Sequence, residues 1–117
     1  MLTLFFFLVF PLAQSATLEE LSIKVNKDLP EVYDHATKLM RTTVENGSFV
    51  YHFIVGAGKE EYAVAMPKVR TQVMSTVCKH NREKTILVKY QSNVVYRYEN
   101  VKGQSLGEFM IPSGHCQ

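Results

Sequence analysis

No stretch of this chain carries the clustered lysines and arginines that nucleic acid or an anionic membrane surface requires. Thirteen basic residues stand against 11 acidic ones, a net charge of +2, and the charges are interspersed. Nor does any apolar run approach the ~20 residues of a membrane-spanning helix. Internal repeats and low-complexity tracts are missing as well. Catalytic signatures are equally scarce: there are no paired carboxylates, no nucleophile elbow and no phosphate-cradling loop, and Gly56-Ala57-Gly58 lacks the rest of any such motif. These absences speak against a nucleic-acid partner, a resident cofactor and an enzyme.

The opening residues lack charge altogether. "MLTLFFFLVFPLAQSA" has no ionisable side chain, and Leu2 to Phe10 is too short a run to span a bilayer. Pro11 and the small residues Ala13, Ser15 and Ala16 follow, the order of a secretory signal peptide cut after Ser15 or Ala16. No cysteine stands at a lipoprotein-like position. Residues 1–16 are therefore expected to be an export signal, and residues 17–117, about 101 residues, a single domain. The mature chain is expected to be periplasmic or secreted, and not an integral membrane protein after cleavage.

Only two cysteines occur, Cys78 and Cys116. In an oxidising compartment they form one disulfide most simply. The bridge would close a loop of about 38 residues, worth up to ~4 kcal/mol in the chain-entropy model. It would also fasten a terminal segment that otherwise frays. A second reading stands beside it: Cys78, His80, His115 and Cys116 make a formal zinc ligand set. Their spacing opposes it, since paired ligands are usually two to four residues apart, and no metal site is assigned.

Hydrophobic periodicity places the elements. Thr17 and Glu20 form a capping box, and Leu18, Leu21, Val25 and Leu29 share a helical stripe that Pro30 ends. Two strands flank Asn46-Gly47, a strong hairpin signal, with Phe49, Tyr51, Phe53 and Val55 on one face. Asn46-Gly47-Ser48 is also a glycosylation sequon, which turn chemistry explains by itself. Met66, Val69, Val73 and Val77 mark a second helix, expected to start near Met66 because Pro67 suits a first turn. "REKTILVKYQ" reads equally well as helix or strand. A second hairpin turns around Asn100 to Gly103, with Val94, Tyr96 and Tyr98 on one face. The order α-β-β-α-β-β predicts an α+β domain: a four-stranded antiparallel sheet with helices packed on one face and one disulfide.

Val25-Asn26-Lys27-Asp28-Leu29-Pro30, Asp34 with Thr37, Tyr51-x-Phe53, Val77-Cys78, Tyr96-x-Tyr98 and Cys116 together resemble a family of small exported bacterial proteins of unknown function. The resemblance spans nearly the whole mature chain. It implies an exported α+β domain with a Cys78–Cys116 bridge and brings no activity with it. His52 and His115 are not part of the pattern.

The aromatic strip is the most suggestive functional feature. Tyr51, Tyr96, Tyr98 and Arg97 are the candidate partner-binding surface, because a tyrosine offers an apolar body with a polar tip. The alternative is that these rings form the core under the helices. Asp34-His35 is a poor acid–base pair, since strand neighbours point to opposite faces. Edges near Tyr96 to Glu99 or Lys38 to Val44 are candidates for strand addition. The reading as a whole is a non-enzymatic binding or accessory protein acting through contact with an envelope or secreted protein. The alternatives are an inhibitor or immunity-type protein that blocks an envelope enzyme or toxin, then a metal-binding protein or a small hydrolase using His35, His52 and His115.

Overall fold

The computed structural model describes residues 17–117. The expected signal peptide, residues 1–16, lies outside the described residues. Helix α1 covers residues 17–26, so Thr17, expected at the N-cap, is already helical. Leu18 is buried, and Leu21, Val25 and Leu29 pack against the core at its edge. Single turns bonded from Lys27 N–H to Lys24 O and from Leu29 N–H to Asn26 O carry the chain past the helix end.

Five strands follow: β1 (Glu31–Asp34), β2 (Thr37–Glu45), β3 (Ser48–Val55), β4 (Val94–Asn100) and β5 (Ser105–Ile111). They lie in the spatial order β1-β2-β3-β4-β5. The expected α+β class holds, but the four-stranded antiparallel sheet is corrected on two counts. First, β1 adds a fifth strand, antiparallel to β2; four residues are too few to show a periodicity. Second, β3 and β4 run parallel, from Phe49 beside Val94 to Val55 beside Asn100. The aromatic faces of these two strands belong together at the sheet centre. A helical crossover between them returns the chain to the same end, which makes neighbouring strands parallel. The same arrangement removes the first expected docking edge and covers only the start of the second. Tyr96 to Glu99 lies in an interior strand, and Lys38 and Leu39 are paired to β1.

Both hairpins close as the sequence predicts. Asn46 and Gly47 take positive φ values of 51° and 77° in a two-residue turn that leaves Glu45 opposite Ser48. In the second turn the Asn100 side-chain oxygen accepts from the N–H groups of Lys102 and Gln104, each at 3.0 Å.

The crossover begins with α2 (Lys59–Thr76), one continuous helix rather than one starting near Met66, with Pro67 inside it. The carbonyl that Pro67 leaves without a donor belongs to Ala63, which is exposed to solvent. Tyr62 is buried, and Met66, Val69 and Val73 continue its stripe against the core. A 3-10 turn (Val77–Lys79), the short helix α3 (Asn81–Lys84) and a wide turn (Thr85–Lys89) complete the crossover. The ambiguous segment is therefore helical, and it buries Ile86 and Leu87 completely. A closing 3-10 turn, Ser113–Cys116, brings Cys116 to Cys78, where the two sulfurs are bonded.

Candidate functional site, a cleft beside the first strand

A cleft of about 580 Å³ opens between β1 and the junction of α2 with α3. Val73, Thr76 and Val77 form one wall, Glu31 and Tyr33 the other, and Tyr96, Arg82 and Glu83 lie between them. Local sequence explains each part. Alternation in β1 turns Glu31 and Tyr33 toward the helices. The helical conformation of "NREK", entered from an extended His80, places Arg82 over the Tyr51 ring of β3.

Arg82 organises the floor. Its Nε donates to the Tyr51 hydroxyl at 3.1 Å, and Nη2 donates to the Tyr33 hydroxyl at 3.0 Å. Nη2 also reaches Glu31 at 3.4 Å, and Nε lies 3.7 Å from the Glu83 carboxylate. The guanidinium carbon stands 5.3 Å from the centre of the Tyr51 ring, a cation–π contact. Burial opposes the Arg82 charge, yet Tyr51, Glu83 and Tyr33 outweigh it and raise its pKa. Glu83 is 6% exposed. Burial raises its carboxyl above the usual range against the pull of Arg82. The Tyr33 hydroxyl is pushed up to about 12, chiefly by burial and then by Glu83.

The candidate residues Tyr51, Tyr96, Tyr98 and Arg97 do not share one surface. Tyr51, Tyr96 and Tyr98 are buried in a ladder of rings. Phe53 stacks on Tyr98 at 4.9 Å, and Tyr96 stacks on Phe109 at 5.2 Å. Burial raises the pKa of all three hydroxyls above the ordinary tyrosine value. Two of the three still bear on the cleft, Tyr96 as part of its lining and Tyr51 through Arg82.

Arg97 faces the other side of the sheet. Its Nη1 and Nη2 donate to the two Glu45 oxygens at 2.9 and 3.1 Å, and its Nε donates to Glu108 at 2.8 Å. Those bonds hold the Glu45 carboxyl below the usual carboxylate range.

The histidines are dispersed. His35 sits in the turn after β1, where Asp34 accepts from the Ala36 N–H at 2.8 Å rather than orienting a base. His52 lies on the sheet face of Arg97, 2.7 Å from the Thr43 hydroxyl. His115 contacts the Met74 carbonyl oxygen at 2.6 Å. The zinc reading is overturned by the bridge, which consumes both sulfurs. Among the described residues no cluster of three or more His, Cys, Asp or Glu side chains is placed to hold a metal ion.

Sequence reasoning missed Arg82, Glu83, Glu31 and Tyr33. One signal was available: if "REKTILVKYQ" is helical, its charged start must lie beside Cys78 and the Tyr51 strand. The strand–helix ambiguity hid it.

No protein-family model matches the chain, and no curated protein matches it in sequence. Solved structures share the fold. A Pseudomonas aeruginosa protein inferred to be secreted superposes with a TM-score of 0.77 at 20% identity, over 91% of this chain and 95% of its own. The type 2 secretion system pilotin EpsS of Vibrio vulnificus gives 0.69 at 15% identity, over 90% and 93%. The type II secretion system pilotin AspS of Vibrio cholerae gives 0.62 at 15% identity, over 89% and 96%. Among the described residues no helix is long and apolar enough to cross a membrane.

Proposed function

We propose that this chain is an exported, non-enzymatic accessory protein that works by protein contact, and that its partner is a component of a type II secretion system. The fold likeness to two pilotins supports the choice of partner. The observation that carries the contact reading is the cleft, where a half-buried guanidinium, tyrosine hydroxyls and an apolar wall converge in one concavity. Of the surface expected from sequence, Tyr51 and Tyr96 act here from below. Tyr98 supports them from the ring ladder, and Arg97 belongs to the opposite face.

Site-directed photocrosslinking in the native host tests this reading. A photoreactive residue at Val73 or Lys79, on the cleft wall, is expected to give one adduct with a secretion-system protein. The same residue at Met110, exposed on the opposite sheet face, gives none. Adducts from Met110 alone, or none from the cleft positions, would overturn the assignment.

A further inference from the structure

We propose that the cleft takes an acidic segment of the partner, seating a carboxylate on Arg82 and an adjacent apolar side chain against Val73, Val77 and Tyr96. This rests on the reading of the cleft as the contact surface. Three observations carry it.

The first is the state of the guanidinium. Nε and Nη2 are occupied by the two tyrosine hydroxyls and the neighbouring carboxylates, whereas Nη1 has no partner among the described residues. Packed on Tyr51 and held by two hydroxyls, the fork is fixed before any ligand arrives, so little side-chain entropy remains to be lost on binding. Arg97 supplies the contrast. All three of its nitrogens meet carboxylate oxygens at 2.8 to 3.1 Å, closer than either acid stands to Arg82, so its charge is already held between Glu45 and Glu108.

The second is the charge that a ligand meets. Lys79 and His80 are exposed on the cleft rim beside the half-buried Arg82. Of the two acids in the lining, Glu83 is almost wholly buried beneath Arg82, 3.7 Å from its Nε, so it presents little surface to a ligand. Glu31 is the exposed one, reaching Arg82 at 3.4 Å, a long contact for a charged pair. The accessible balance is positive, which favours an acidic occupant over a basic one.

The third is size. About 580 Å³ sits well inside the ~300–1,000 Å³ of ligand clefts and exceeds what one carboxylate fills. The valines and the Tyr96 ring give the remaining space an apolar lining.

Backbone amide NMR of the oxidised protein, titrated with three capped hexapeptides, tests the proposal. One alternates leucine with glutamate, one leucine with glutamine, and one leucine with lysine. The glutamate peptide alone is expected to shift the signals of Glu31–Tyr33 and Lys79–Glu83. Arg82→Lys keeps the charge but loses the fork, and is expected to weaken binding about 10-fold. Lys79→Ala changes an exposed side chain and should weaken it ~2–3-fold. The same spectra report whether each variant is folded. Equal shifts with the glutamine or lysine peptide, shifts centred on the Arg97 face, or none up to ~5 mM would overturn the proposal. Should the peptides fail while Val73 and Lys79 still crosslink the partner, the acidic chemistry falls and the contact reading stands.

Discussion

Asn26 behaves as a fragment of strand. Its side-chain amide donates to the Thr42 carbonyl at 3.0 Å and accepts from the Thr42 N–H at 2.7 Å. It does so beyond Leu39, where the pairing of β1 with β2 ends. Ser22 adds a 2.7 Å contact to the Thr42 hydroxyl, so the polar side of α1 is latched onto β2. Thr42 is 2% exposed, and water cannot replace the lost partner. Asn26→Ala should therefore cost about 1–3 kcal/mol, read as a lower urea midpoint at unchanged slope. His52 makes a prediction of a different kind. Burial first, then Arg41 and Arg97, hold its pKa below the ordinary value, against the opposing pull of Glu45 and Glu99. The unfolded chain then binds a proton near pH 6.5 that the folded chain refuses, so stability is complete above that pH and falls on acidification. Between pH 7 and pH 5 the wild type should lose more stability than His52→Gln, measured by urea unfolding at each pH. Equal losses would show that His52 titrates alike in both states.

The hairpins, the amphipathic stripes and the punctuation were legible because each is written within about ten adjacent residues. What joins them is not. The parallel pairing of β3 with β4 depends on which faces match across a crossover of nearly forty residues, and no local pattern reports that. Two bulges show the same limit at shorter range. In β2, Leu39 pairs with Phe53 and Arg41 with His52, leaving Met40 as the extra residue. In β5, Tyr98 faces Gly107 and Glu99 faces Ser105, leaving Leu106 extra. Each bulge shifts the inward–outward alternation by one, so Leu39 and Thr42 are both buried, and so are Leu106 and Phe109. Gly107 meets the second bulge at φ 114°, where a Cβ would stand 3.2 Å from Met66 Cε on α2. Pro67 misled in another way: its preference for first turns is statistical, and an exposed helix tolerates it inside. Pro67→Ala restores one backbone bond to Ala63 and should stabilise the domain by up to ~3 kcal/mol. Slower amide exchange along Ala63 to Thr71 would check it.

The molecule depends on its bridge for the site as well as for stability. Cys78 lies between Val77 and Lys79, both of which line the cleft. Reduction should lower stability by up to ~4 kcal/mol, seen as a shift of the urea midpoint with reductant. It should also broaden the cleft signals before the sheet melts, because the wall loses its tether. The tyrosines were legible as a cluster and, in the alternative reading, as core under the helices; that Arg82 would be the residue lying over Tyr51 was not legible, because its segment read equally well as strand. The bridge has one more consequence. It joins the turn that follows α2, midway along the crossover, to the turn after β5, so residues 78–116 make a closed covalent ring to which the earlier part of the chain is attached at one point. The longest exposed run of that ring is residues 101–105, at the tip of the second hairpin. A protease that cuts there opens the ring without dividing the molecule, and both pieces stay attached until the sulfurs are reduced. One cut before Cys78 severs the chain in two.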